Sequence, residues 1–410
     1  MKILLVVFLF QLSILAKESN RIPHLDLEMS GTELHSLLGF RDDGEEDSEL
    51  DPVMKLGKRY LTWLKIVNQN RPEELKLSLS NPENQPGYPI DSPKISSPKI
   101  ILELFSQLKK DLPEEFKKVL TTQAALTDSI PVSDADFVSY GRRIDNLYAS
   151  ASRWLLQKPY LWAYASKKHD DIRGYYFLKQ TPQVENQLTN WEQLSGDTQI
   201  QFRGWLEGLC FNSEATASVC GANLDKTIAE NGNPLPYFKR YLQDGESKWN
   251  NLFLIQNKRD DLLWSVEHPE LLSAPFSKPD TYEVEQFLRL NIEDEWRWLG
   301  WQLRLNFIVG GMDTTHVTFS PGATPHVNGL GGNEITMDAN QPITEYHVRW
   351  TIRHEYGHTL GFPDCYIEFY DTDKAVMISY QIDTTNLMCS RRGKLQEKHF
   401  EELKRVYFTP

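Results

Sequence analysis

The clearest periodic stretch of the chain runs from Phe137 to Leu155. Phe137, Tyr140, Ile144, Leu147, Tyr148, Ala151, Trp154 and Leu155 recur at steps of three and four. That spacing places apolar side chains on one face of a helix. Trp191, Leu194, Ile200, Phe202 and Leu206 mark a second helix over 191–210, and the aromatic-rich stretch 237–264 reads as helical in part. Residues 100–272 are therefore expected to be mainly helical, with their tryptophans and tyrosines in a core rather than on a carbohydrate-binding surface.

Beyond this region the period changes to two. Trp301, Leu303, Leu305 and Phe307 alternate with Gln302, Arg304 and Asn306, the pattern of a half-buried strand. Short strands are expected at 317–319 and 334–338, between glycine-rich turns of which Gly329–Gly332 is the loosest. Leu288, Leu290 and Ile292 also alternate, although 283–300 fits an amphipathic helix equally well. A helix follows, with Thr344 as its N-cap, Glu345 in its first turn, and Val348, Ile352 and Leu360 on apolar faces. A last helix is expected over 395–407. The proline-bearing stretch Ser273–Asp280 marks the domain boundary.

The N-terminal part is less patterned. Arg41–Asp51 is an acidic run, read as a solvated loop or linker. A short helix fits 53–67. Ser78–Ile100 is rich in Ser, Pro and Asn and repeats Ser-Pro-Lys-Ile at 92–95 and 97–100, so it reads as a loop or linker. The expected division is 1–16, 17–99 (weakly structured), 100–272 (helical) and 273–410 (mixed, carrying the chemistry).

Composition narrows the classes. With 410 residues, 40% hydrophobic and 25% charged, the chain is globular and long enough for two or three domains. A net charge of −13 argues against nucleic acid and anionic membrane surfaces as partners. Residues 1–16 carry Lys2, an apolar run from Ile3 to Leu15, and Ala16 before Lys17-Glu18. This reads as a secretory signal peptide, too short for a bilayer span. The expectation is an exported protein with no membrane anchor. Four cysteines, at 210, 220, 365 and 389, fit an oxidising compartment.

The chemistry concentrates in His354-Glu355-Tyr356-Gly357-His358-Thr359-Leu360-Gly361-Phe362-Pro363-Asp364. Residues four apart on a helix share a face, so His354 and His358 can bind one metal ion together. Glu355, beside the first ligand, can take a proton from a water. Gly361 suits a helix end that turns through positive φ, and Pro363 stops the helix. Asp364 then follows the turn, where its carboxylate can return as a third ligand. Two imidazoles and one carboxylate leave a fourth position open, the arrangement of a catalytic zinc site.

This H-E-x-x-H-x-x-G-x-x-D pattern, with Asn386-Leu387-Met388-Cys389-Ser390 downstream, resembles the metzincin zinc metallopeptidases, in the Asp form of snapalysin-like secreted proteases. The resemblance covers the last third of the chain. It implies an α+β fold: a zincin-like catalytic domain of twisted sheet, active-site helix, Met-turn and C-terminal helix, preceded here by the mainly helical region. It implies a secreted endopeptidase using Zn2+, with His354, His358 and Asp364 as metal ligands and Glu355 as general base, acting on a protein or peptide substrate. Met388 would form an apolar floor under the histidines. If Asp364 and Met388 converge beneath the metal, their neighbours Cys365 and Cys389 should form a disulfide. A zinc–thiolate site is the rival use of the cysteines, without the C-x-x-C spacing such sites favour.

The chain departs from the family in two places. Some members carry a metal-contacting Tyr two residues after the Met. Here that position is Ser390, and Tyr380 is the nearest upstream substitute. A thiolate that blocks the metal would need a cysteine before Cys210, and there is none, so a blocking pro-region would have to act by a carboxylate or by bulk. Residues 17–272 are such a pro-region or an accessory domain. Two other function classes stay open: a secreted binding or structural protein with a non-catalytic zinc, and a zinc amidase acting on cell-wall peptide.

Overall fold

The computed structural model describes residues 22–39, 49–79, 87–122, 125–310 and 314–409. The expected signal peptide and most of the acidic run lie outside these residues. Within them the fold is a mixture of α and β.

The first helical group comprises α1 (Gly31–Leu38), α2 (Asp51–Gln69), α3 (Pro98–Asp111), α4 (Glu114–Thr121) and α5 (Asp134–Gln157). Tyr60 and Trp63 of α2 meet Phe116 of α4 and Phe137 of α5 in one buried aromatic cluster. Offset and edge-on ring pairs of this kind add to the area they bury. The periodic face of α5 is buried as its spacing predicts, with Phe137, Ile144, Tyr148 and Ala151 fully inside. A second group comprises α6 (Arg173–Gln180), α7 (Gly196–Phe211), α8 (Ala217–Asn231) and α9 (Leu235–Asn251). The Cys210–Cys220 disulfide ties α7 to α8. Ile200 is 71% exposed, because the buried face of α7 runs through Phe202, Leu206 and Leu209 instead.

Strands build the rest. Besides a short parallel pair of Trp264–Ser265 with Phe408–Thr409, they are in chain order β1 (Lys94–Ser96), β2 (Leu271–Ser277), β3 (Arg297–Trp298), β4 (Trp301–Ile308), β5 (His316–Ser320), β6 (His326–Val327), β7 (Glu334–Asp338), β8 (Tyr366–Asp371) and β9 (Val376–Gln381). β2 and β4 run parallel, with Leu272 opposite Leu303 and Ala274 opposite Leu305, and β3 pairs antiparallel on the far edge of β4. β5 and β7 are parallel, and β6 is antiparallel to β7. These two sheets join edge to edge through a Phe276–Thr315 bridge, where Ser277 N donates to Thr315 O at 2.7 Å. α10 (Tyr282–Leu288) lies in the crossover from β2 to β4. α11 (Tyr346–Thr359) packs against β6 and β7, and α12 (Glu397–Tyr407) closes the chain.

Several expectations are corrected. The boundary at 273 falls inside β2, whose Leu272, Ala274 and Phe276 alternate inward and are fully buried. Pro275 is tolerated there while its neighbours keep the ladder, and a single core contains residues from both sides of position 273. The helical option holds only for 283–295, where α10 continues as a wider π turn over Arg289–Glu293, and Arg297–Trp298 form β3. The helix over 53–67 extends to α2. Ser97, read as linker, is the N-cap of α3, and Lys94–Ile95–Ser96 form β1 on the edge of β9. The segment between the helix and the Met-turn is a β8–β9 hairpin. α11 begins at Tyr346 with Glu345 as N-cap, one residue past the expected Thr344, and no side chain caps it. Residues 22–38, expected to be weakly structured, are packed: Leu25, Leu27, Met29 and Leu34 are all buried.

Candidate metal centre

α11 is buried on every side over residues 351–359. Arg353 forms a buried ion pair with Glu295 and donates to the carbonyls of Arg391 and Gly393, each at 2.9 Å. Trp296 Nε1 donates to Arg353 O at 3.1 Å. These contacts fix the rotation of the helix, and with it the direction of its histidines.

His354 and His358 stand one turn apart, with ring centroids 4.8 Å from each other. His354 Nδ1 donates to Leu387 O and His358 Nδ1 to Phe362 O, both at 2.8 Å. With the proton on Nδ1, each Nε2 presents a lone pair. The helix ends at Gly361, whose φ of +92° only glycine adopts without strain. That turn returns Asp364 to the histidines. Its Oδ1 lies 3.1 Å from His354 Nε2 and 3.4 Å from His358 Nε2. Three ligands on one tetrahedral zinc, each bound at about 2.0–2.2 Å, stand about 3.3 Å apart. The two Nε2 atoms and Asp364 Oδ1 are all buried without a hydrogen-bond partner among the described residues. The donor set and its spacing therefore fit zinc.

The electrostatics express the same demand for positive charge. Burial opposes charging of His354, yet the neighbouring Asp364 and Asp26 carboxylates push it up to about 9. Burial works against ionisation of Asp364 too, but His358 and His24 hold it well below the usual carboxylate range. Glu355 is fully buried, and neither of its oxygens has a hydrogen-bond partner among the described residues. Burial is the main force raising its pKa.

Under the histidines, Met388 packs so tightly against α11 that a Cβ on Gly357 would collide with its sulfur. Asn386 Oδ1 accepts Met388 N at 2.7 Å and shapes this turn. Cys365 and Cys389 form a disulfide, and Cys365 N donates to Met388 O at 3.0 Å. The ligand turn and the methionine turn are thus joined covalently and by hydrogen bond. Tyr380 is not at the centre: its hydroxyl donates to Asp171 at 2.8 Å and accepts from Ile172 N. Ser390 turns to Glu28.

Two residues at the centre escaped the sequence reading. His24 Nδ1 is 3.6 Å from Asp364 Oδ2, and its Nε2 is 3.9 Å from Glu355 Oε1. Asp26 Oδ1 is 3.8 Å from His354 Nε2. The available signal was the alternation of His24, Asp26 and Glu28 with Leu25, Leu27 and Met29. It marks an extended segment with a polar edge, but not what that edge meets.

Arg153 holds this segment at one end, donating to the carbonyls of Leu25 and Asp26 at 2.7 Å while pairing with Glu368. Arg391 holds the other end, through Glu33 at 2.6 Å and the carbonyl of Glu28 at 2.9 Å. Glu28 in turn accepts from Gln381 and Ser390. Beside the centre opens a cavity of about 420 Å³, lined by His24, Asp364 and Tyr366 on one side and Tyr164, Lys167 and Lys248 of the helical part on the other.

Compared with protein-family models, characterised proteins and solved structures, the chain matches none. Among the described residues, no helix is long and apolar enough to cross a membrane.

Proposed function

We propose that the protein is a secreted, zinc-dependent endopeptidase of metzincin type. The observation that carries this reading is the convergence of His354 Nε2, His358 Nε2 and Asp364 Oδ1 next to a buried carboxylate, Glu355, none of these atoms having a hydrogen-bond partner among the described residues. A structural site has no use for such a carboxylate; a hydrolytic site does. The methionine turn beneath the histidines and the disulfide behind the ligand turn support the family resemblance. So does the joined sheet, with antiparallel β6 as its edge beside α11.

His354, His358 and Asp364 would hold the zinc. Zinc there supplies Lewis acidity, polarising a peptide carbonyl and lowering the pKa of a water towards about 7. Glu355 takes the proton from the attacking water and delivers it to the leaving amine nitrogen. Its burial suits this work, because the protonated form is not disfavoured between the two transfers. The adjacent cavity would receive the peptide, so the helical part forms one wall of the cleft.

Casein cleavage that stops with a chelator and returns with zinc tests the reading. Glu355→Gln should retain zinc and lose turnover by about 10²–10⁴-fold, the usual worth of a positioned base. Full proteolysis by that variant would remove Glu355 from its role. The competing reading is a binding or structural protein braced by zinc. His24 favours it, because a third imidazole, and fourth candidate ligand, beside the centre resembles a closed site.

A further inference from the structure

We infer that His24 is a fourth protein ligand of the metal, and that the segment carrying it holds the centre closed. The inference rests on reading His354, His358 and Asp364 as a zinc site.

Ligand atoms of His24, His354, His358 and Asp364 all lie within 4.8 Å of one another. The His24 ring stands edge-on to that of His358, with centroids 5.7 Å apart. Its Nε2 is buried and has no hydrogen-bond partner among the described residues. His24 enters from the cavity side, where its side chain keeps 29% of its exposure. That is the side from which a water or a substrate carbonyl must arrive. A zinc held by four protein groups has no position left for either.

The segment is built to present this ring. Arg153 grips the carbonyls of Leu25 and Asp26, the two residues after His24. Glu28 and Glu33 are fastened to Gln381, Ser390 and Arg391 further along. The imidazole is thereby tethered at a high effective concentration, against which a free water competes poorly. His24 lies upstream of every one of these clamps. It can swing away, or be removed by cleavage just after it, while Leu27–Leu38 stays in place. All four cysteines are in disulfides, so no thiolate is available for the same task. A histidine does here what the sequence left to a carboxylate or to bulk.

The test uses the full chain loaded with zinc or with Co2+, comparing wild type with His24→Ala and His24→Gln, each checked for unchanged far-ultraviolet circular dichroism. Zinc-edge X-ray absorption should count three imidazoles in wild type and two in the variants, and the Co2+ visible spectrum should change accordingly. Zinc loss to a chelator should quicken by roughly tenfold or more, the scale on which loss even of a residue supporting a ligand acts. Added imidazole should restore the wild-type Co2+ spectrum in His24→Ala, which a merely structural role would not produce. Casein turnover should rise in both variants and fall again with imidazole. Unchanged imidazole count, spectrum and zinc retention in both variants would overturn the inference and leave the peptidase reading standing. If instead coordination changes as expected but neither loaded variant cleaves any protein, His24 is a ligand and the peptidase reading falls.

Discussion

The sulfur of Met388 occupies the place a Cβ on Gly357 would take, in the middle of α11, and the Trp296 ring crowds the same point. An alanine at 357 would be the better helix former by about 1 kcal/mol. Its Cβ would also enter space held by Met388, which is itself 2% exposed, and would press on the Trp296 ring 3.1 Å away. Overpacking of this kind costs about 1–3 kcal/mol, so the steric effect outweighs the propensity. Gly357→Ala should lower the melting temperature and loosen zinc. The decisive measurement is a double-mutant cycle: the penalty should shrink when Met388 is also Ala, and an unchanged penalty would place the strain elsewhere.

The Cys365–Cys389 bridge closes a loop with a sequence separation of 24. Loop entropy alone gives such a bridge roughly 3 kcal/mol. Its position predicts a local effect as well, since it fixes the turns that present Asp364 and Met388. Cys365→Ala with Cys389→Ala should therefore speed zinc loss, while replacing Cys210 and Cys220 should not. Equal effects of the two pairs on zinc retention would argue against this role.

Acid should weaken the fold through His399. Gln396 N donates to its Nδ1 at 2.9 Å, and its Nε2 meets Asn386 Oδ1 at 2.9 Å. Burial, aided by Lys398, lowers its pKa to about 3 from the ordinary 6.5. The folded state thus binds fewer protons than the unfolded one between these values. His399 therefore contributes stability that is complete above pH 6.5 and drains away as pH falls towards 3. Urea midpoints of the metal-free protein, with His399→Gln as reference, should show wild type losing ground to the variant from pH 6.5 to 4.5. A constant difference across that range would contradict it.

Arg391 should be costly to remove. It is 2% exposed and pairs with Glu33, whose carboxyl is lowered to about 2; burial opposes this, and the Arg391 charge overcomes it. Arg391→Ala leaves Glu33 buried and unpaired, which costs about 3–5 kcal/mol. The loss should appear first as faster amide exchange over residues 27–38, before the helical groups are affected. The Glu33 contribution itself is present above pH 4.5 and disappears as pH falls towards 2. Exchange that quickened uniformly through the chain would instead indicate a global defect.

The sequence by itself carried whatever depends on local spacing. Four-residue separation puts His354 and His358 on one face of any helix, Gly361 and Pro363 end that helix, and alternation from Trp301 to Phe307 makes a strand wherever one face is buried. Turn residues misled where tertiary pairing outweighed them. Pro275 sits in a buried parallel strand, and Ser97-Pro98 starts a helix instead of continuing a linker.

Only the tertiary structure decided what meets what across the chain. His24 reaches Asp364 and Glu355 because Arg153 of α5 and Arg391 beyond the methionine turn hold its segment at two points. No periodicity records this, since an extended strand of alternating leucines and acids can pair with any surface offering the right charges. Whether a metal at the proposed centre would keep an open position depends on that long-range contact, whereas the three proposed ligands fall within eleven consecutive residues.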